Sequence, residues 1–416
     1  MSLDVAVLKE YEDIRPYETP EEMHMGIDLF ARRAVSELKK SKNKRLKYIA
    51  IITSAIGNLR VLGFANKIIP WWIKRNVKTA EDYQSKYFFP IIMSHVDQET
   101  KMVTNDYEVI GEENINPNQP YLVVSTHRDI ALEAILTSKI LYEIKGKTPY
   151  TFGGDNLYNT PEREAQYKLT KTIMLIRSEN REEKLKQLNR VFNYAKFRME
   201  EGFDAWIAQS PGRIYDALFK TYTGIIRSAW NANMEFILPS ATSFRINPSD
   251  LQMAVVLWKE ANNIKHEKDD NEDNDTVNAG VFGYKGGIKV GFGEPVAIGK
   301  RGSTREKSDL AKKIDEEIMN VYHIWDTNDI AFNAMYEKIS STEYRKRTKI
   351  DYSTVFEHEE LRKRFYITQE SIDMFFKDPK TPKPTPEEIR PYILLQYANP
   401  KRRKMEVLNK VKFKVV

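Results

Sequence analysis

The sequence predicts an α/β fold, a mixed sheet flanked by helices, with helical parts at both ends of the chain. Three observations carry this expectation. Short β-rich apolar runs alternate with helical stretches through the middle of the chain. Tyr121-Leu-Val-Val, entered from Pro120, reads as a buried strand that hands over to helical apolar spacing at Ile130, Ala131, Ala134 and Ile135. Finally, 41% of the 416 residues are hydrophobic, enough for a substantial core in one large domain with appendages, or in two domains.

In chain order, residues 20–41 read as an amphipathic helix started at Thr19 or in the Pro20–Glu22 turn. Residues 79–105 read as a further helix and a turn, and Tyr107–Ile110 as a short strand running into Gly111. After strand 121–124, helix 129–144 is expected to be capped by Ser125 or Thr126. Tyr150-Thr-Phe-Gly-Gly reads as a strand ending in a glycine turn, where Gly153 and Gly154 would let a ligand approach the backbone or simply make the turn. A helix from Pro161, a strand at Ile173–Ile176 closed by Arg177, and a charged helix over 181–201 follow. Strands are expected at 204–209, 236–244 and 287–292, and helical pattern from Thr304 to about 347. Residues 265–276 are acidic and of low complexity, which predicts a surface insertion. An EF-hand is excluded there, because the mid-loop glycine and closing glutamate are missing. A Pro-rich connector at 377–386 precedes a final helix and a basic end. The expected organisation is a helical, membrane-facing part at 1–78, an α/β domain at 79–320 and a helical extension at 321–416.

Composition narrows the chemistry. The chain has no cysteine, so it offers neither a disulfide nor a thiol nucleophile nor thiolate metal ligands. Its first residues lack the basic and long apolar regions of a secretory signal, which predicts no export. The net charge is +6, and from Lys39 to Arg75 there is no Asp or Glu. The apolar run from Tyr48 within that block is about half the roughly 20 residues that a spanning helix needs, and Arg60 would interrupt a longer one. An interfacial helix with a basic shoulder and the Trp71-Trp72 pair at headgroup level fits better. Nucleic acid is not the expected partner, since the residues between the charges are mainly Ile and Leu rather than stacking aromatics. No Walker loop, dinucleotide fingerprint or metal-spaced His/Glu set is present.

Of the six histidines, His127 alone follows a buried strand and precedes a helix start. A histidine held there by rigid elements, near the positive end of a helix and beside Asp129 and Glu133, has what a general base needs. Asp129 is preferred as its partner, being short and next to the helix start; Glu133 faces His127 if the intervening turn loops out, and is otherwise an ordinary helix acid.

Thr126-His-Arg-Asp-Ile-Ala-Leu-Glu133 resembles the phospholipid/glycerol acyltransferases, in particular a bacterial branch that reads Asn-His-Arg-Asp-Ile-Val-Leu-Asp. The resemblance recurs in order at Ile14-Arg-Pro-Tyr17, Asp82-Tyr-Gln84, Ile207-Ala-Gln209 with Gly212-Arg213, Leu238-Pro239, Phe292-Gly-Glu-Pro295 and Tyr397-Ala-Asn-Pro400. It implies a glycerol-phosphate-acyltransferase-like fold in which His127, oriented by Asp129 or Glu133, helps an acceptor hydroxyl attack an acyl thioester. Arg177 and Arg213 match the arginines of the family's second and third motifs, and imply binding of the acceptor phosphate. Gly212 and Pro239 join them as substrate-binding candidates, with Arg128 and Arg181 weaker ones. Implied partners are acyl-CoA or acyl-carrier protein as donor, a glycerol phosphate lipid as acceptor and an anionic membrane surface, with no metal or redox cofactor. The implied location is peripheral or monotopic on the cytoplasmic face of the inner membrane. The chain departs from the family at Leu132, where the wider family has its Asp, and at Pro211, where the third motif has its Glu. These departures leave an alternative, a catalytically impaired lipid- or protein-binding member of the same fold.

Overall fold

A computed structural model of the protein describes residues 9–40, 71, 73–93, 107–266, 272–376, 378 and 381–414. The expected interfacial run, with residues 41–70 and Trp72, lies outside the described residues. The described elements begin with helix α1 (Pro20–Lys40), three short helical segments between Ala80 and Met93, strands β1 (Tyr107–Ile110) and β2 (Leu122–Ser125), helix α2 (Leu132–Lys145), strand β3 (Tyr150–Gly154), helix α3 (Pro161–Leu169), strand β4 (Thr172–Leu175), helix α4 (Arg181–Glu200) and strand β5 (Ala205–Ala208). Helix α5 (Thr223–Asn231), strand β6 (Phe236–Phe244), helices α6 (Asp250–Ala261) and α7 (Glu272–Phe282), strands β7 (Ile288–Phe292) and β8 (Val296–Ala297), and helices α8 (Thr304–Val321) and α9 (Asp326–Met335) follow. Strands β9 (Tyr336–Ser340) and β10 (Glu343–Lys346), three short helices between Ser353 and Asp373, helix α10 (Pro386–Leu408) and strand β11 (Lys412–Lys414) complete the order.

Eight strands form a mixed sheet in the order β1-β7-β6-β2-β5-β3-β4, with β8 paired to β6. Strand β2 runs parallel to β6, Leu122 opposite Ile237 and Ser125 opposite Ser240, and all four of its residues are buried. That is why it reads as a continuous apolar run rather than an alternating one. Pro239 is tolerated inside β6 because its edge changes partner there: β8 pairs with Phe236 and Ile237, β7 with Ser240–Phe244, and Gly293 N donates to Pro239 O at 2.9 Å.

The chain forms two compact units, one of residues 1–91 and 138–206, the other of 92–137 and 207–416. In the first, the Ile14-Arg-Pro-Tyr17 stretch docks through Met174 N donating to Ile14 O at 2.9 Å. Arg15 forks onto the Glu22 carboxylate, which also accepts from Thr19 N while Thr19 Oγ1 accepts from Glu22 N, the reciprocal cap that starts α1. Helix α1 packs with α3 around Tyr17, Met23, Ile27, Ala165 and Leu169. In the second unit, α6, α9 and α10 enclose a core that includes Trp258, Phe332, Phe365, Ile393 and Tyr397.

The structure revises the expectations in three places. Helix α2 begins at Leu132, not 129, because residues 127–131 form a turn. Residues 336–346, expected to be helical, form the β9–β10 hairpin, whose Tyr336 and Tyr344 pack on Phe332 and Phe413. From Glu272 onward the acidic insertion is a helix with a buried side, Thr276 and Gly280 among its residues.

A buried ion pair within the first unit gives a test of its packing. Lys145 Nζ lies 2.7 Å from Asp204 Oδ1, with side chains 4% and 3% exposed. Asp204→Ala, which takes the paired carboxylate away from a buried ammonium, is expected to destabilise that unit by about 3–5 kcal/mol, read as a lowered urea midpoint. A change under about 1 kcal/mol would show that water reaches the pair.

Candidate active site

The site is built where β2 ends. Gln209 N donates to Ser125 O at 2.7 Å, Thr126 N to Ser240 O at 3.2 Å, and Ile214 N to His127 O at 2.7 Å. Three consecutive carbonyl or amide groups are thereby fixed by neighbouring segments, and His127 leaves the sheet from a backbone that cannot wander.

Glu133 sits in the first turn of α2 with its side chain 1% exposed. Its Oε1 accepts from Thr126 Oγ1 at 3.0 Å, and its Oε2 from the backbone N–H groups of Arg128 at 3.0 Å and Asp129 at 3.4 Å. Thr126 is itself held by Thr242 N, which donates to Thr126 Oγ1 at 3.0 Å. The carboxylate thus faces the imidazole, with His127 Nδ1 3.9 Å from Glu133 Oε2. That separation is longer than a hydrogen bond, and Nδ1 has no other partner. Burial pushes the Glu133 carboxyl above its ordinary value, and the adjacent His127 pulls against that rise.

Asp129, preferred on sequence grounds as the partner of His127, is engaged elsewhere. Its Oδ1 accepts from Ala131 N at 2.8 Å and Leu132 N at 2.6 Å, so it caps α2 in place of Ser125 or Thr126. Helix α7 covers the same carboxylate, for a Cβ built on Gly280 would overlap Asp129 Oδ2. The turn that lets Asp129 cap is also the one that brings Glu133 round to His127.

The arginine candidates fare differently. Arg128 is buried, and its guanidinium donates to Gln396 O and to Gln396 Oε1, each at 3.1 Å. It braces α10 and is not available as a substrate ligand in this arrangement. Arg213 Nη2 lies 3.9 Å from Glu272 Oε1, its side chain is 4% exposed, and both terminal nitrogens lack a hydrogen-bond partner. Gly212 is exposed in the turn before it, and Pro239 is a buried strand residue. In the first unit, Arg177 is 56% exposed on its side chain, 3.9 Å from Asp155, and lies against the bare backbone of Gly154. Gly154 thus permits the close approach of an arginine as well as the turn. Arg181 begins α4.

Sequence reasoning missed Thr242, Gln396, Glu272 and Gly280, each supplied by a segment distant along the chain. It also missed the side-chain oxygens of Ser125, Ser240 and Thr242, which are buried without a protein hydrogen bond beside the strand end. Among the described residues, no group of His, Asp and Glu has the arrangement of a metal site.

Residues 106–242 match the Acyltransferase family model. That segment holds His127, Asp129, Glu133, Arg177, Arg213 and Pro239. A crystal structure of the 1-acyl-sn-glycerophosphate (LPA) acyltransferase PlsC from Thermotoga maritima is similar at 12% sequence identity and a TM-score of 0.32, covering 71% of this chain and 91% of that one. No curated protein matches the sequence. The match over residues 106–242 is to the family that the motifs around His127 and Arg213 resemble.

Two substitutions test the geometry. Because the folded Glu133 carboxyl holds its proton more tightly than the unfolded one, its contribution to stability is present below the unfolded value and lost as pH rises through the folded one. Glu133→Gln is therefore expected to gain stability relative to wild type as pH rises above the ordinary carboxyl range. A difference that stays flat over that rise would mean that burial does not raise this group. Gly280→Ala, normally worth up to about 1 kcal/mol in favour of a helix, is expected to lower the melting temperature instead, because the methyl meets Asp129.

Proposed function

We propose that the protein transfers a fatty acyl group from an acyl thioester, acyl-CoA or acyl-carrier protein, to a hydroxyl of glycerol 3-phosphate or its monoacyl form in phospholipid synthesis. The observation that carries the reading is the His127–Glu133 pair, a buried carboxylate fixed by three donors and facing an imidazole at a strand end inside the acyltransferase segment. With its proton on Nδ1, toward Glu133, the ring keeps the Nε2 lone pair for the acceptor. Nε2 takes the hydroxyl proton as the oxygen attacks the thioester carbonyl carbon. The tetrahedral intermediate then collapses, the C–S bond breaks, and His127 returns the proton to the departing thiolate. Glu133 remains a carboxylate throughout and stabilises the imidazolium between the two proton transfers. Arg213, with two unengaged nitrogens, is the preferred holder of the acceptor phosphate, and Arg177 a second candidate.

The acceptor and the product-side lipid call for a membrane surface, and we assign its recognition to the block from Lys39 to Arg75. Trp71, at the end of that block, is 59% exposed, with the Arg75 guanidinium 5.7 Å from its ring centroid. No helix among the described residues is long and apolar enough to cross a membrane.

His127→Ala should lower acyl transfer by about 10²–10⁴-fold without unfolding the protein, and Glu133→Gln should cost more activity than Asp129→Asn. Release of thiol from acyl-CoA in the presence of glycerol 3-phosphate or lysophosphatidate is the assay. Wild-type protein that releases none with several donors would leave a non-catalytic lipid- or protein-binding member of the fold as the better account. For the membrane, sedimentation with anionic liposomes should fall when Lys42, Lys44, Arg45 and Lys47 are all changed to Glu, each cation contributing about 1 kcal/mol. Equal sedimentation of the two proteins would remove the block from the interface.

A further inference from the structure

The acidic insertion places one carboxylate where it governs the Arg213 guanidinium. Glu272, the first residue of α7, is 3.9 Å from Arg213 Nη2, close enough to neutralise the buried charge and too far to hydrogen-bond it. The same oxygen, Oε1, is 3.0 Å from His266 Nε2. Tyr215 lies under the guanidinium, its ring centroid 5.1 Å from the Arg213 Cζ, which fixes the plane of the fork while leaving both Nη atoms without hydrogen bonds. Lys259 also feels Glu272. A structural ion pair would close onto the fork and consume its donors, as Arg15 does with Glu22 in the first unit. Here the donors are kept free and the carboxylate is drawn aside by an imidazole.

We infer that Glu272 is an internal competitor for an anion site at Arg213, held back by His266, and that it sets the affinity of that site for a phosphate monoester. This rests on the reading that Arg213 takes the acceptor phosphate, and adds the residue that tunes it. With the site empty of ligand, Glu272 compensates a guanidinium that would otherwise be buried alone. An arriving phosphate brings its own negative charge and can make the short bidentate bonds that Glu272 does not. The two anions repel, so the carboxylate weakens binding in proportion to its closeness, and the hydrogen bond to His266 limits that penalty. The stretch that reads as a low-complexity surface insertion thus carries a specificity-determining side chain for the acceptor.

The test is isothermal titration of the full-length protein with glycerol 3-phosphate, without an acyl donor, so that binding is read apart from turnover. Glu272→Gln, which keeps the shape and removes the charge, should tighten binding on the order of tenfold, a shift of about 1.4 kcal/mol. His266→Ala, which removes the imidazole that draws Glu272 away from Arg213, should weaken it several-fold, and Arg213→Ala should abolish it. Should Glu272→Gln fail to fold, Glu272→Asp, with the carboxylate drawn back by one methylene, must shift affinity in the same direction by less. Binding that depends on Arg213 but is unchanged or weaker in Glu272→Gln overturns the competitor and leaves the phosphate reading standing. Binding that is indifferent to Arg213→Ala overturns the phosphate reading itself, and with it the inference; absence of binding in every variant does the same.

Discussion

The second unit's site depends on one buried carboxylate. Glu133 accepts from a hydroxyl and two consecutive backbone amides, and those amides belong to the residues directly after His127. Its position near the start of α2 adds the favourable field of a helix N-terminus. Burying an anion is costly, and each of these donors offsets part of that cost. The net rise in the Glu133 carboxyl's proton affinity shows that burial remains the larger effect. The proximity of His127 works the other way and opposes that rise. Holding the ring and the acid at this separation requires the turn at 127–131 to be rigid.

The rigidity comes from far along the chain. Gln396 accepts twice from Arg128 and donates to Asp250 O and Tyr392 O, so its side chain is fully engaged while it anchors the residue next to His127. Neighbouring groups of α10 act in the same way: Tyr397 Oη donates to Asp250 Oδ2, Asn399 Nδ2 to Asp216 O, and Arg403 Nε to Phe219 O. The polar residues of the Tyr397-Ala-Asn-Pro stretch therefore hold loops that carry the site, and the C-terminal helices are part of its scaffold. An arginine is needed at 128 because two acceptors on one glutamine require a planar fork, which an ammonium does not present.

What could be read from sequence follows from which interactions are local. The strand at 121–124 and the helix after it are set by burial and spacing, so the placement of His127 at their junction was legible. The choice between Asp129 and Glu133 was not, because it turns on where the helix starts. A short acid three residues before Leu132 can cap, and once it does, the longer acid one residue inside the helix is the one that reaches the ring. The helix at 272–282 was hidden by its acidic, glycine-containing composition, which disfavours an isolated helix; it forms because Gly280 lets it lie against Asp129 and Thr276 Oγ1 bonds Gln252. The hairpin at 336–346 was hidden in the opposite way, its residues being neutral for helix until Phe332 and Phe413 supply an aromatic surface.

The arginines of the second unit show how charge separates bracing from binding. The terminal nitrogens of Arg128 donate to neutral acceptors, a carbonyl and an amide oxygen, which leave its charge in place. The Tyr322 hydroxyl, which feels both that charge and the Glu133 carboxylate, is pushed up to about 12 by burial and stays neutral. Arg213 is the converse, with its charge partly compensated by a carboxylate while its donors stay open. A guanidinium whose donors are spent can orient a backbone but cannot recognise an anion. One whose donors are free and whose charge is only loosely balanced can do so, because an incoming phosphate replaces a weak partner with a strong one. The proposed division of labour between Arg128 and Arg213 thus rests on what each side chain already holds, with recognition assigned to the residue whose hydrogen bonds remain to be made.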